Sequence, residues 1–306
     1  MQKNIGILGG VAIVQLLLVA WFWFGSPGTD DAADNLLVFS QSGVTKLRVS
    51  DGESATTVLK EGERWLVDGA QADEKKVTEV LDKLAQLTAP WPVAATTGSA
   101  ERFEVTEANH QRHIQLYVGD DLAGELYLGT SPGYQRVHAR RADDDNIYSI
   151  KLSNYELGTG LDAWLDKTLM AVDGEIDALT FTDTKDAGTQ TSIKKTADAS
   201  AGWEVNGVVA DPTKIETYVN RFGNLRVLGL AEQTLVESAE LVATIELTSG
   251  GEEVVYDLLG VLAAEPESPD AVSDYLIRRE GIEHTYRLAT YVAEQLLMHD
   301  VDFVSS

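Results

Sequence analysis

Two stretches of the chain are near copies at a fixed offset of 138 residues: Trp65-Leu-Val-Asp-Gly-Ala-Gln-Ala-Asp73 and Trp203-Glu-Val-Asn-Gly-Val-Val-Ala-Asp211. The same offset returns downstream, where Arg140-Arg141 and Tyr148 align with Arg278-Arg279 and Tyr286. One kind of folding unit is therefore used twice. A length of 306 residues accommodates two such units at the usual domain size of roughly 100 to 150 residues.

Local patterns within each copy predict an α+β unit. In the first, Val44 to Val49, Thr56 to Lys60 and Trp65 to Val67 alternate as short strands. Asp73 then stands as a helix cap before an apolar stripe at Val77, Val80, Leu81, Leu84 and Leu87. The second copy has Asp211 as the cap, Pro212 at the first helical position, and a stripe at Ile215, Tyr218, Val219, Phe222 and Leu225. All five stripe positions keep the offset.

Beyond each helix the pattern returns to hairpins. His113 to Val118 with Gly124 to Leu128 matches Ala243 to Thr248 with Glu253 to Leu259. Arg136 to Arg141 with Ile147 to Ile150 matches Asp274 to Arg279 with Thr285 to Leu288. Ser153 to Asp166 and Tyr291 to His299 read as closing helical segments, and Ala264 to Val272 as an exposed acidic, Pro-containing loop. The expected fold is α+β: an N-terminal transmembrane helix followed by two tandem antiparallel sheets, each with a principal helix packed on one face. The expected divisions are 1–4 as a cytoplasmic N-terminus, 5–24 as the anchor, 25–36 as a linker, 37–172 as the first repeat and 173–306 as the second.

The anchor is read from Ile5 to Phe24, an apolar run in which Gln15 is the one strongly polar residue. About 20 such residues suffice to cross a bilayer core as a helix. Lys3 precedes the run, and Asp30, Asp31 and Asp34 follow it. That asymmetry places the N-terminus in the cytoplasm and the bulk of the chain outside, in the periplasm of an inner-membrane protein. The length and the bulky Trp21-Phe22-Trp23-Phe24 end favour an uncleaved single-pass anchor over a cleaved signal peptide. Gly6 and Gly10 form a small-residue pair that lets another helix approach, and Gln15 lies on a different face, so all three are candidate contact residues.

Composition excludes several chemistries. There are no cysteines, which removes disulfides, thiolate metal sites and a lipid-modified cysteine. The net charge of −25 repels nucleic acid and anionic headgroups; it reads as solubility, a salty habitat, or a cationic partner or divalent ions.

No motif supports catalysis. Gly129-Thr-Ser131-Pro-Gly133 spells G-x-S-x-G, but the residue after the serine would have to donate its N–H to an oxyanion, and Pro132 has none. Asp143-Asp144-Asp145-Asn146 lacks the spacing of a calcium loop and falls at a hairpin turn. The histidines at 110, 113, 138, 284 and 299 form no zinc signature. No cofactor or metal is expected. Arg141 and Arg279 are the candidate interaction residues, because an outward guanidinium there could grip a carboxylate or phosphate in both units. An internal ion pair is the competing role.

Taken as a set, several motifs resemble the DUF4340 family: the single N-terminal span, the W-x-V-x-G-x-x-A-D junction, an R-V-x-A-R strand running into I-Y-x-I, and Trp164-Leu-Asp-Lys-Thr-Leu-Met170 leading to a strand at Ile176 to Phe181. The second unit departs from it, with Tyr275-Leu-Ile-Arg-Arg279 in place of Val137-His-Ala-Arg-Arg141. The resemblance implies a membrane-anchored companion of an ABC-type export system related to the gliding-motility auxiliary transporters, together with a GldG-like subunit. It carries no catalytic residues. The resulting expectation is a non-enzymatic accessory or scaffold protein with a permease, an ATPase subunit and a GldG-like subunit as partners. The alternative is an independent module binding an envelope glycan, lipid or peptide in the cleft between the repeats.

Overall fold

A computed structural model describes residues 35–88, 91–184, 189–196, 202–262, 272–297 and 303. The expected anchor, with Gly6, Gly10 and Gln15, lies outside the described residues, as does the expected loop from Ala264 except for Val272, which begins a strand. Among the described residues no helix is long and apolar enough to cross a membrane.

Among the described residues the first sheet has eight strands: β1 (Lys46–Ser50), β2 (Ala55–Glu61), β3 (Arg64–Val67), β4 (Ala70–Gln71), β5 (Arg112–Val118), β6 (Asp121–Leu128), β7 (Val137–Arg141) and β8 (Ile147–Ile150). Their spatial order is β4-β3-β2-β1-β5-β6-β7-β8. Helix α1 (Glu74–Ala85) follows β4, and the short α2 (Thr97–Phe103) precedes β5.

The second sheet repeats this plan with β9 (Ile176–Asp183), β10 (Gln190–Lys195), β11 (Trp203–Val205), β12 (Val208–Ala210), β14 (Ala239–Ser249), β15 (Glu252–Leu262), β16 (Val272–Arg279) and β17 (Tyr286–Leu288). One extra strand, β13 (Gly229–Leu230), is added outside β17. The helices are α3 (Pro212–Gly223), α4 (Gln233–Ser238) and α5 (Thr290–Leu296). All pairings are antiparallel, and the central registers correspond, Leu47 opposite Leu116 in one sheet and Leu179 opposite Leu247 in the other.

The duplicated Trp-to-Asp segment resolves into a tight hairpin followed by a capped helix. Val67 pairs with Ala70, and Val205 with Val208, around two-residue loops. Asp68 and Gly69 in one loop, and Asn206 and Gly207 in the other, all have positive φ. That is the backbone a primed turn requires, and Asp-Gly and Asn-Gly adopt it most readily. Asp73 then accepts from the Lys76 amide, and Asp211 from the Thr213 amide. Each cap contributes about 1 kcal/mol by satisfying an amide that the helix leaves open.

Both five-residue stripes are buried, as are Trp65 and Trp203. Each large apolar side chain so buried contributes roughly 1.5 to 3 kcal/mol. The opposite face of each sheet has its own small cluster: Ala100, Val105, Tyr127 and Ile147 near α2, and Leu259, Val261 and Leu276 near α4. Each sheet therefore carries a long helix on one face and a short one on the other. The short helices and β13 leave no clear apolar period in the sequence.

Ser153 to Asp166 does not form the expected helical segment. It makes two 3-10 turns, Asn154–Glu156 and Leu161–Ala163. Gly158 and Gly160 interrupt it, and the buried Trp164 folds back so that its indole N–H donates to Gly158 O at 2.7 Å.

The segment that follows ties the two sheets together. On the first-sheet side, Asp73 N donates to Trp164 O at 2.8 Å and Asp166 N to Gln71 O at 3.0 Å. On the second-sheet side, Val227 N donates to Lys167 O at 3.0 Å and Val172 N to Phe222 O at 3.1 Å, while the Tyr256 hydroxyl donates to Met170 O at 2.6 Å. The buried side chains of both repeats form one continuous cluster across this segment.

Candidate functional site

The arginine pairs keep their matched registers but not their partners. Arg140 lies opposite Tyr127 and Arg141 opposite Leu126; Arg278 lies opposite Asp257 and Arg279 opposite Tyr256. Arg140 rests over the Tyr127 ring at 5.2 Å and donates to Val105 O at 2.8 Å. Arg141 forks onto Asp143, with Nε to Oδ1 at 2.8 Å and Nη2 to Oδ2 at 2.5 Å. That bond holds the Asp143 carboxyl below its ordinary value. In Arg141 the internal ion pair is thus the observed arrangement. Arg278 binds Asp257 at 2.7 Å.

Arg279 is placed differently. Its Nη1 donates to Ala171 O at 3.1 Å, and its guanidinium sits 5.8 Å from the Tyr256 ring centre. It lines a cleft of about 740 Å³ between the repeats. The first repeat contributes Arg64 and Gly69 to Gln71, the second contributes Ser249, Glu252 and Gly281 to His284, and Asp166, Thr168, Leu169 and Ala171 to Asp173 complete the lining. A Cβ built on Gly69 would lie 3.5 Å from the His284 ring, so the two turns approach closely. The carboxylates here, Asp166, Asp173, Glu252 and Glu283, are exposed or half-buried. They do not form the sheltered acid pair that a carboxylate-dependent hydrolase needs.

The remaining sequence candidates make contacts within their own turns and strands. Ser131 donates within its own turn, to Gly133 O at 2.8 Å and Arg136 O at 2.7 Å. Asp144 accepts from the Asn146 amide at 3.0 Å and from the Tyr148 hydroxyl at 3.1 Å, which closes the acidic turn on itself. Among the described residues no group of three His, Asp or Glu side chains is placed to hold a metal ion. His113 Nε2 lies 2.6 Å from Glu125 Oε1, and its ring stacks on Tyr127 at 4.5 Å. His138 stacks on Phe103 at 4.0 Å with Nδ1 2.9 Å from the Thr130 hydroxyl; burial pulls its pKa down. His299 lies outside the described residues.

The family model described as a domain of unknown function, DUF4340, matches residues 67–244, more than half of the chain. The chain belongs to the DUF4340 family. No curated protein and no solved structure matches it. The DUF4340 match begins in β3 and ends in β14, so it covers the connecting segment and part of each sheet.

Two features of this DUF4340 protein escaped the sequence reading. The first is the outer edge of the first sheet. In the second sheet β13 pairs along β17, Gly229 with Arg287 and Leu230 with Tyr286. In the first, among the described residues, Ala94 alone bridges Ile147, and Arg136 takes the place of a strand at Ser149, donating to its hydroxyl at 2.9 Å and to its carbonyl. Beside this edge lies a groove of about 520 Å³ lined by Thr88, Gln135, Arg136, Ile150, Lys151 and Glu156. Three aromatic residues near it in the chain stand almost fully in solvent: Tyr155, next to Glu156, at 96 %, Tyr134, next to Gln135, at 89 %, and Trp91, three positions after Thr88, at 87 %. Tyr134 belongs to a turn that the second unit lacks, which is a signal the sequence does carry.

The second is a group of cations beside the connecting segment. Lys75, Lys76, Lys167 and Arg226 line a second inter-repeat cleft of about 720 Å³. They are scattered along the chain, and no spacing rule joins them.

Proposed function

We propose that this DUF4340 protein is a non-enzymatic, membrane-anchored accessory subunit of an ABC-type transport complex. Its tandem α+β repeats act as a periplasmic scaffold arm, with permease, ATPase and GldG-like subunits as partners and the N-terminus in the cytoplasm. The apolar run Ile5 to Phe24 and its flanking charges support the anchoring and orientation. The observation that carries a scaffolding role is the set of exposed aromatics, Trp91, Tyr134 and Tyr155, near the groove beside β8 in the chain. Large aromatics left in solvent beside an incompletely covered strand provide the rigid, low-entropy contact area that protein interfaces favour.

Purification of the tagged full-length protein from membranes in mild detergent, followed by mass spectrometry, tests this reading. A permease or ATPase subunit should accompany the wild-type chain. The variant Trp91→Ala/Tyr134→Ala/Tyr155→Ala should lose that partner while remaining folded. If no transport subunit ever accompanies the intact protein, the reading fails.

A second reading draws on the 740 Å³ cleft at Arg279. There an envelope glycan, lipid or peptide would bind between the repeats without any partner subunit. Binding of such a ligand by the detergent-purified chain alone, abolished by Arg279→Ala, distinguishes it from the scaffold.

A further inference from the structure

In the second repeat, the chain that leads into the sheet is fastened to the sheet's outer edge. Asp162, in the segment that precedes β9, lies 3.4 Å from Arg287 on β17. A Cβ built on Gly229 of β13 would meet the Asp162 carboxylate at 2.1 Å, so the two are in close contact. Farther along the same segment, Val227 N donates to Lys167 O at 3.0 Å and Val172 N to Phe222 O at 3.1 Å.

The first repeat is entered in the same way, through the tether 25–34, which lies outside the described residues. Where the described chain begins, Asn35 bridges Thr88 and Leu36 N donates to Leu87 O at 2.6 Å. Leu87 and Thr88 line the groove beside β8. The tether is therefore delivered to the rim of that groove.

The groove carries an excess of positive charge in a chain of net charge −25. Its lining holds Lys83, Arg136 and Lys151 against one carboxylate, Glu156, and Lys83 is bound to Glu156. Arg136 and Lys151 meet no carboxylate among the described residues. Arg136 also stands at a telling position. In the second sheet Leu228 N donates to Arg287 O at 2.9 Å. At the repeat offset Leu228 matches Pro90, which has no N–H, and Arg287 matches Ser149. The Arg136 guanidinium fills the gap, donating to the Ser149 carbonyl and, at 2.9 Å, to its hydroxyl. A cation thus sits at the strand position where the second repeat's entering segment places Asp162. Lys151 follows two residues past Ser149, about 7 Å along an extended chain.

We propose that the tether Gly25 to Asp34 docks in this groove, with Asp30, Asp31 and Asp34 facing Arg136 and Lys151. Asp31 is four residues from the fixed Asn35, a reach of about 14 Å for extended chain. Exposed ion pairs are individually weak, but a tethered segment faces its site at an effective concentration of millimolar order, so weak pairs suffice. Trp91, Tyr134 and Tyr155 do not line the groove, so the docked tether leaves them to a partner. With Ile5 to Phe24 as the anchor, docking sets the angle at which the repeats stand from the membrane. That consequence rests on the anchor reading; the docking itself does not.

The chain has no cysteine, so Thr29→Cys and Gln86→Cys place two spin labels uniquely in full-length protein in phosphatidylcholine nanodiscs. Gln86 lines the groove from the exposed end of α1. Double electron–electron resonance should give one narrow distance. That peak should be lost in Asp30→Asn/Asp31→Asn/Asp34→Asn, in Lys151→Glu, and at 1 M salt, where the screening length falls to about 3 Å. Lys151→Glu leaves Arg136 on Ser149, and an unchanged melting temperature in that variant separates loss of docking from loss of fold. A broad distribution in the unsubstituted background would overturn the proposal and leave the groove to an acidic segment of another chain. A narrow distance that survives salt and both charge variants would overturn it too. No transport subunit is present in this measurement, so its failure and that of the scaffold reading are independent.

Discussion

Arg279 and Arg141 occupy matching registers on β16 and β7, yet one crosses from the sheet to the connecting segment and the other folds onto its own turn. Arg279 reaches Ala171 O at 3.1 Å, whereas Arg141 pairs with Asp143 two residues on. Duplication preserved the strand position and changed what the guanidinium does. The consequence is unequal energetics. Arg279→Ala should lower stability by about 1 to 2 kcal/mol, because it leaves a carbonyl at the repeat junction without its charged donor. Arg141→Ala should change stability by less than about 1 kcal/mol, as is usual for an exposed pair. Urea denaturation of the two variants reads the difference directly, and equal losses would contradict this account.

Gly129 offers a sharper steric test. A Cβ there would lie 1.9 Å from Phe103 O and 2.4 Å from Glu104 O, both backbone atoms that cannot step aside cheaply. Gly129→Ala should therefore destabilise the protein by about 3 kcal/mol or more. Gly160, with nothing within 4 Å of its Cβ position and an ordinary extended φ of −88°, serves as the control. Gly160→Ala should fall within about 0.5 kcal/mol of wild type.

Alkaline titration should expose the buried tyrosines. Burial pushes Tyr256 and Tyr286 from 10.0 up to about 12. Below pH 10 both are protonated in the folded and unfolded chains, and their contribution is complete. Between pH 10 and 12 the unfolded chain ionises first, so stability falls as pH rises. Tyr256→Phe should flatten that slope in denaturation curves recorded across the window, at the expense of the hydrogen bond to Met170 O. An unchanged slope would place the ionisation elsewhere.

His138 gives the opposite sign. Its burial against Phe103, assisted by nearby Arg102, lowers its pKa below 6.5. Above 6.5 the imidazole is neutral in both states. As pH falls the unfolded chain takes the proton first, and the first repeat loses stability until the folded pKa is passed. NMR titration of the His138 ring should show a midpoint below that of a free histidine. A midpoint at or above the free value would refute the assignment.

The legible parts of the fold were those encoded over short stretches. Asp73 and Asp211 as caps, the stripes Val77 to Leu87 and Ile215 to Leu225, and the hairpin strands are all set by neighbours within a few residues, and each is found where its pattern predicts. The closing segment at Ser153 to Asp166 was misread because Trp164 buries itself against a folded core, a contact with no periodic trace. The candidate sites were less legible. Arg141 and Arg279 share a motif, but only the packing distinguishes a self-paired side chain from one that joins two repeats.

By itself the sequence determined that one α+β unit occurs twice, where each principal helix begins, which face it buries, and that an apolar run precedes the first repeat. Those properties follow from helix capping, turn chemistry and hydrophobic period, which act locally. Tertiary structure alone decided how the sheets order their strands, which edge lacks an outer strand among the described residues, and how residues 161–172 fasten one repeat to the other. It also decided that Lys75, Lys76, Lys167 and Arg226 line one cleft. These depend on hydrogen bonds and burial between residues far apart in the chain, whose pairing no local pattern can specify.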